Sequence, residues 1–324
     1  MIINKTPFRI SFFGGGSDFP EYFNEQPATV ISSSINKYCY TSLKRKIIQT
    51  NTKYKFSYSM IDEVDHIEDI EHPVIKACLK HFKIDDSLEI HYDADLPGRS
   101  GIGSSSSFTV GLLHSLSTLI KHSLSREQLA VDAIIIEREM LKENVGYQDQ
   151  YAASFGGFNK IIFSKNDTKV IPLDISMREL ISDHLVLFYY PKTRLSSNIQ
   201  EAHVRNIQSN IETLNHMNQL SEEALVAINN KDIKVFGNLL NESWSYKKAL
   251  TKEISNRDID DIYSLAMENG ALGGKISGAG GGGFMYFLCE PELQNNFIKK
   301  MEKLQHIDCS LSSKGSEIIY EKQN

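Results

Sequence analysis

Five glycines occupy six positions in Gly278-Ala-Gly-Gly-Gly-Gly283, between two apolar runs with strand character. Glycine loses more conformational freedom on folding than any other residue, so an ordered tract of this kind needs something packed close against its backbone. A ligand or another glycine loop meets that need. The spacing contains G-x-G-x-x-G, but a dinucleotide fold requires a helix immediately after it, and the Phe-Met-Tyr-Phe-Leu that follows reads as a strand. The Rossmann reading fails, and residues 275–289 are predicted to form strand, glycine loop, strand.

A second glycine loop, Leu96-Pro97-Gly98-Arg99-Ser100-Gly101-Ile102-Gly103, leads into Ser104, Ser105, Ser106 and Ser107. Leu112, Leu113, Leu116, Leu119 and Ile120 then recur at helical spacing, so the serines sit where a loop enters a helix. Such an entry offers unpaired amides and the positive end of the helix, which favours a polyphosphate. A turn that merely caps the helix is the alternative. It is not a Walker A loop, since Gly103 is followed by Ser104 and not by lysine.

Three acids join these loops. Asp18 closes Phe13-Gly14-Gly15-Gly16-Ser17-Asp18, where it either meets sugar hydroxyls or forms an Asx turn. Ser125 and Gln128 make a capping box for a helix predicted to run to about residue 143. On that helix Glu137 lies in the apolar stripe among Ala133, Ile134, Met140 and Leu141, and a carboxylate facing a core needs either a buried arginine or Mg2+ held with phosphate oxygens. Asp149, in Gly146-Tyr147-Gln148-Asp149-Gln150, is read as lying in a loop and as a candidate general base. No G-x-S-x-G or H-E-x-x-H occurs, so hydrolase and zinc-protease readings gain nothing.

Strand-rich runs dominate up to residue 59 and helical patterns dominate 198–269, without regular βαβ alternation. This predicts an α+β protein with an antiparallel N-terminal sheet, divided near residue 175 into domains 1–175 and 176–324. At about 150 residues per domain, 324 residues suit two. A net charge of −6 without a basic tract argues against nucleic acid or an anionic membrane as partner. Lys5 and Arg9 interrupt the first apolar residues, no apolar run reaches the ~20 residues of a membrane span, and Cys39, Cys78, Cys289 and Cys309 are scattered. A reduced cytoplasm is the expected location. Oligomeric state is not legible.

Four segments, in order, carry a resemblance to a family. Thr6-Pro7-Phe8-Arg9-Ile10-Ser11 through Asp18 resembles the first motif of the galactokinase, homoserine kinase, mevalonate kinase and phosphomevalonate kinase (GHMP) superfamily. Residues 97–107 resemble its P-x3-G-L-G-S-S phosphate motif with Ile102 in the leucine position, residues 275–283 its third motif, and residues 146–150 the segment with its catalytic aspartate. Gly14-Gly15-Gly16-Ser17-Asp18-Phe19-Pro20 and the Gly146 segment followed by Gly156-Gly157-Phe158-Asn159 are most similar to a branch acting on a heptose phosphate.

The resemblance implies an S5-like N-terminal domain, a ferredoxin-like C-terminal domain, and transfer of the ATP γ-phosphoryl to an anomeric hydroxyl, supplying nucleotide-activated heptose for surface glycans. It implies that Asp149 takes the hydroxyl proton, that Arg9 stabilises charge, and that Pro97, Gly98, Gly101, Ile102, Gly103 and Ser104 to Ser107 surround ATP. Ser105 and Glu137 would hold Mg2+. Gly15, Gly16, Ser17, Asp18, Gly278, Gly280 and Gly281 would line the sugar site, with Arg99, Lys192, Arg194 and Lys275 as candidates for the substrate phosphate. An anomeric kinase of an unphosphorylated sugar such as fucose, and a non-catalytic sugar and ATP sensor, stand as alternatives.

Overall fold

The computed structural model describes residues 1–47, 52–191 and 196–322. The first half runs β1 (Ile2–Phe13), α1 (Pro20–Phe23), β2 (Ala28–Arg45), β3 (Tyr54–Ser57), β4 (Ile61–Val64), α2 (Pro73–Phe82), β5 (Leu88–Ala94) and α3 (Ser104–Leu119). It continues through α4 (Arg126–Ile134), a π-helical turn (Ile135–Met140), α5 (Gln148–Phe155), β6 (Phe158–Ser164) and β7 (Asp167–Pro172). The second half comprises α6 (Ile175–His184), β8 (Leu185–Tyr190), α7 (Ser196–Asn206), α8 (Ile211–Asn230), α9 (Ile233–Leu250), α10 (Arg257–Glu268), β9 (Ala271–Ile276), β10 (Gly283–Cys289), α11 (Gln294–Lys300), β11 (Gln305–Ile307) and β12 (Glu317–Glu321).

β2 organises the larger sheet, whose order is β12-β1-β2-β5-β3-β4 with β6 and β7 branching from β2. Two runs with strand character in the sequence, 28–35 and 38–47, join across Asn36 and Lys37 in one 18-residue strand, within which Ser32, Ser33 and Ser34 lie buried. Its first half pairs with β6 (Ala28 opposite Phe163) and its second with β5 (Cys39 opposite Ala94), while β1 follows its other edge. The sheet is not wholly antiparallel, as expected from sequence: β3 runs parallel to β5, because the crossover through β4 and α2 returns the chain in the same direction. α3 is apolar or small nearly all round and lies buried against β1, β2 and the helices α2, α4 and α5.

The second half builds a four-stranded antiparallel sheet of order β11-β8-β10-β9. With helices between β8 and β9 and between β10 and β11, this is the ferredoxin-like β-α-β-β-α-β arrangement. An apolar core joins the halves: Phe12 of β1 packs edge-on against Phe236 of α9 and Tyr286 of β10, at 5.6 and 5.7 Å between centroids. A single cut at residue 175 needs correction. β12 pairs with β1, so the chain returns after the second sheet to the first. The return is anchored by Ser312 N donating to Ser34 O and Ser316 N to Ala153 O.

Candidate active site

The site is assembled by two glycine loops locked together. α3 begins after Gly103 (φ +75°), and its first-turn amides have no partner within the helix. The four serines divide the work. Ser104 Oγ accepts from Arg99 N at 3.1 Å, Ser106 Oγ donates to Glu137 at 2.9 Å, Ser107 Oγ donates to Pro7 O at 2.8 Å, and Ser105 is exposed. Against this loop lies the chain between β9 and β10. A methyl on Gly101 would fall 2.3 Å from Ser277 O, and one on Gly278 would fall 2.5 Å from Gly101 Cα. Ser277 Oγ donates to Gly101 O at 2.8 Å, and Phe284 N to Ser100 O at 3.1 Å. The close approach demanded by the glycine tract is therefore made by the other glycine loop. Gly280 packs on Ile254, and Gly281 N donates to Ile254 O at 2.9 Å. Gly278, Gly280 and Gly281, expected to line the sugar site, thus take part in the contacts that hold this loop in place.

Arg9, on β1, reaches into this junction while 4% exposed. Its Nε and Nη2 grip both Asp149 oxygens at 2.7 and 2.8 Å, and its Nη1 donates to Gly101 O at 2.7 Å. A planar guanidinium is suited to this fork. Asp149 is not in a loop, as the sequence reading had it, but in the first turn of α5, where its charge meets the positive helix end. A methyl on Gly103 would lie 3.4 Å from Asp149 Oδ2, so the carboxylate abuts the start of α3. The carboxylate therefore meets a helix start whose unpaired amides favour an anion.

Asp18 is 1% exposed and fully engaged: it accepts from Gly16 N at 2.9 Å, Gln148 Nε2 at 3.0 Å and Gln148 N at 3.2 Å. Burial holds its carboxyl above the usual range, with the Asp149 charge acting in the same direction and the amide donors opposing. Gly146 makes the contact possible, since a methyl there would sit 2.0 Å from Asp18 Oδ2. Asp18 thus pins the Gly14-Gly15-Gly16 loop to the α5 entry, and Ser17 Oγ caps that loop on Gly14 O at 2.8 Å.

Glu137 is completely buried. Ser106 and Thr109 of α3 donate to its two oxygens at 2.9 and 2.8 Å, and Gln150 Nε2 of α5 donates as well. Burial outweighs these donors and pushes the carboxyl up to about 7. Glu137 therefore ties α3 to α5 from the π-helical turn. The expected Ser105–Glu137 metal site does not fit this arrangement: Ser105 points outward, Ser106 faces Glu137 instead, and every Glu137 oxygen is occupied by a protein donor. Among the described residues no group of three or more His, Cys, Asp or Glu is placed to hold a metal ion.

Of the expected phosphate cations, Lys192 and Arg194 lie outside the described residues. Lys275 is buried and donates to Phe12 O at 3.0 Å, with its pKa held well below normal by burial, so it supports β1 and does not face the cleft. Arg99 is exposed on the phosphate loop at φ +58°. Two residues that sequence reasoning passed over enter from the second half. Lys247 of α9 donates to Gly278 O, and burial, reinforced by Arg9, lowers its pKa to about 8. His203 of α7 meets Gly16 O at 2.8 Å and packs edge-on against Phe19. The signal for Lys247 was available, since it continues the stripe Phe236, Leu240 and Trp244 as Glu137 interrupts its own.

Residues 70–157 match the model of the GHMP kinases N terminal domain, and residues 224–306 that of the GHMP kinases C terminal domain. The chain is 33% identical to a D-glycero-alpha-D-manno-heptose 7-phosphate kinase of Campylobacter jejuni, over 94% of each chain. It is 24% identical to the bifunctional fucokinase/GDP-fucose pyrophosphorylase of Arabidopsis thaliana, over 94% of this chain and 31% of that one. In structure it resembles a D-glycero-D-manno-heptose 1-phosphate kinase from Bacteroides thetaiotaomicron, with a TM-score of 0.81 at 23% identity and full coverage of both chains. It also resembles Lactococcus lactis galactokinase complexed with galactose, with a TM-score of 0.76 at 20% identity over 98% of this chain and 94% of that one.

Proposed function

The chain belongs to the GHMP kinases, and from that membership we propose that it transfers the γ-phosphoryl of ATP to the anomeric hydroxyl of D-glycero-D-manno-heptose 7-phosphate, giving the 1,7-bisphosphate. The full-length relative at 33% identity supports the substrate. The observation that carries the chemistry is the Asp149 carboxylate, forked by Arg9, resting against Gly103 where α3 begins.

Phosphoryl transfer passes through a loose transition state with charge on the equatorial oxygens, so the protein mainly positions the reactants and neutralises charge. The α3 amides and residues 97–107 receive the polyphosphate. Asp149 accepts the proton of the attacking hydroxyl. Arg9 holds Asp149 in place and, through Gly101 O, fixes it relative to the phosphate loop. Mg2+ is proposed to enter with ATP on its phosphate oxygens, and no residue of the chain is assigned to it. The first half with its returning β12 would carry the nucleotide, the cleft toward α7 and α9 the sugar. No described helix is long and apolar enough to cross a membrane.

The test is ADP release by the purified protein with ATP and Mg2+ against heptose 7-phosphate, heptose, fucose, galactose and mevalonate, with Asp149→Asn as control. Mutant-sensitive turnover confined to heptose 7-phosphate is expected. Turnover with a different acceptor would replace the substrate, and a correctly folded chain silent across the panel would refute the kinase reading.

A further inference from the structure

Gly15 is required neither by a left-handed φ nor by a close contact among the described residues. Gly15 lies between Gly14 (φ +76°) and Gly16 (φ +109°), yet its own backbone lies outside the left-handed region. The three atoms nearest a methyl placed on it would all belong to side chains. Its nearest neighbours would be Ser11 Oγ at 3.5 Å, Gln148 Nε2 at 3.6 Å and Lys247 Nζ at 3.9 Å, all ordinary contacts. Alanine would fit, so what glycine leaves is a vacant notch one atom deep.

The walls of that notch are polar and under-used. Ser11 is 4% exposed and its Oγ has no hydrogen-bond partner among the described residues, and Gln148 Oε1 is buried without one among them, its Nε2 donating to Asp18. Lys247 is 7% exposed and its ammonium, with three donors to place, makes one hydrogen bond among the described residues, to Gly278 O. Buried polar groups left unmatched are unfavourable. Ser11 Oγ and the Lys247 ammonium converge on the notch beside the Gln148 amide, whose Oε1 also lacks a partner among the described residues, so the setting calls for an oxygen that accepts from the ammonium and donates to a neighbouring oxygen. A sugar hydroxyl does both. Asp149, Gln148 and Gly16 are partly exposed and form the mouth, so the notch opens beside the carboxylate that receives the proton.

We propose that the notch above Gly15 seats one hydroxyl oxygen of the acceptor sugar, which accepts a hydrogen bond from Lys247 and donates one to Gln148 Oε1, with Ser11 completing the shell. The second half of the chain thereby contributes a binding residue to acceptor recognition through α9. The proposal rests on the sugar-kinase reading above and adds the subsite and its residues to it.

Two variants test it. Gly15→Ala fills the notch without backbone strain, and Lys247→Met removes the ammonium while keeping its length. Steady-state kinetics would be run with heptose 7-phosphate and with ATP varied in turn, alongside thermal melts and calorimetric titration of the sugar without ATP. Gly15→Ala should melt no lower than wild type, keep its KM for ATP within about twofold, and show a KM and a Kd for the sugar raised roughly tenfold or more, the scale of a lost hydrogen bond to a charged group. Lys247→Met should show the same split between sugar and ATP. A well-folded Gly15→Ala with an unchanged sugar KM and Kd would overturn the notch while leaving the kinase reading intact. If wild type ignores heptose 7-phosphate, the substrate reading falls separately, and the same comparison is made with whichever panel acceptor releases ADP. A chain that phosphorylates none of them overturns both.

Discussion

Glu137→Gln isolates the carboxyl that joins the phosphate-loop helix to the helix of Asp149. Burial raises this carboxyl from its ordinary 4.5 to about 7, and Ser106, Thr109 and Gln150 all donate to it. A carboxyl raised on folding keeps in the native state a proton that the unfolded chain has already released. Its stabilisation is complete below the unfolded value and is lost as pH rises through the folded one. The shift is about 2.5 units, or about 3 kcal/mol at 1.36 kcal/mol per unit, of which about 2 kcal/mol falls between pH 5 and pH 7.5. Glutamine has the same shape and no proton to lose, so the stability of wild type minus that of Glu137→Gln should fall by about 2 kcal/mol across that interval. Any fixed penalty from turning the amide among three donors cancels in the comparison. Urea unfolding at both pH values, followed by the fluorescence of Trp244, the chain's one tryptophan and fully buried, measures it. A difference that stays constant with pH would refute the buried, protonated state of Glu137 and with it the latch between α3 and α5.

The remaining predictions concern the reacting groups and the glycine contacts. Asp149→Asn should retain ATP affinity while turnover falls about 100-fold or more, read from ADP release and nucleotide titration. Gly146→Ala, whose methyl would lie 2.0 Å from Asp18 Oδ2, should lower stability by about 1–3 kcal/mol and raise the sugar KM as the Asp18 pin is displaced. Gly278→Ala combines φ +71° with a methyl 2.5 Å from Gly101 Cα, and should cost about 2 kcal/mol or more and weaken ATP binding. Gly98→Ala, whose nearest neighbour would be Ser104 Oγ at 4.0 Å, should leave the unfolding midpoint nearly unchanged.

What the sequence made legible were features with local causes. The helix start after Gly103, the Ser125 cap with Gln128 N donating at 3.0 Å, and Gly270 just beyond the end of α10 all follow from short-range chemistry. The burial of Glu137 followed from its periodicity. What stayed hidden depended on partners distant in sequence. Nothing local marks the return of β12 to β1, and nothing local distinguishes Ser106, which turns to Glu137, from Ser105, which turns to solvent. The cations show the same limit. Lys275 reads as a candidate phosphate cation until β1 supplies Phe12 O, and Lys247 acquires its setting only when α9 packs against the loop that carries Gly278.

The glycines of the site divide by what confronts them, and the division bears on how the site works. Gly101 and Gly278 face each other's backbone, and Gly146 faces a buried carboxylate, so each is glycine for a contact within the fold. These loops are clamped, not pliant. Asp149 inherits that rigidity: the fork from Arg9 is anchored through Gly101 O to one loop, and α5 is tied through Gln150 and Glu137 to the helix the same loop begins. On the proposed mechanism, whose demand is placement of charge more than covalent assistance, such cross-bracing would fix Asp149 relative to the start of α3 before either substrate arrives. Gly15 faces the polar side chains of Ser11, Gln148 and Lys247 at ordinary contact distance, so the proposed acceptor subsite falls at a gap beside these interlocked contacts.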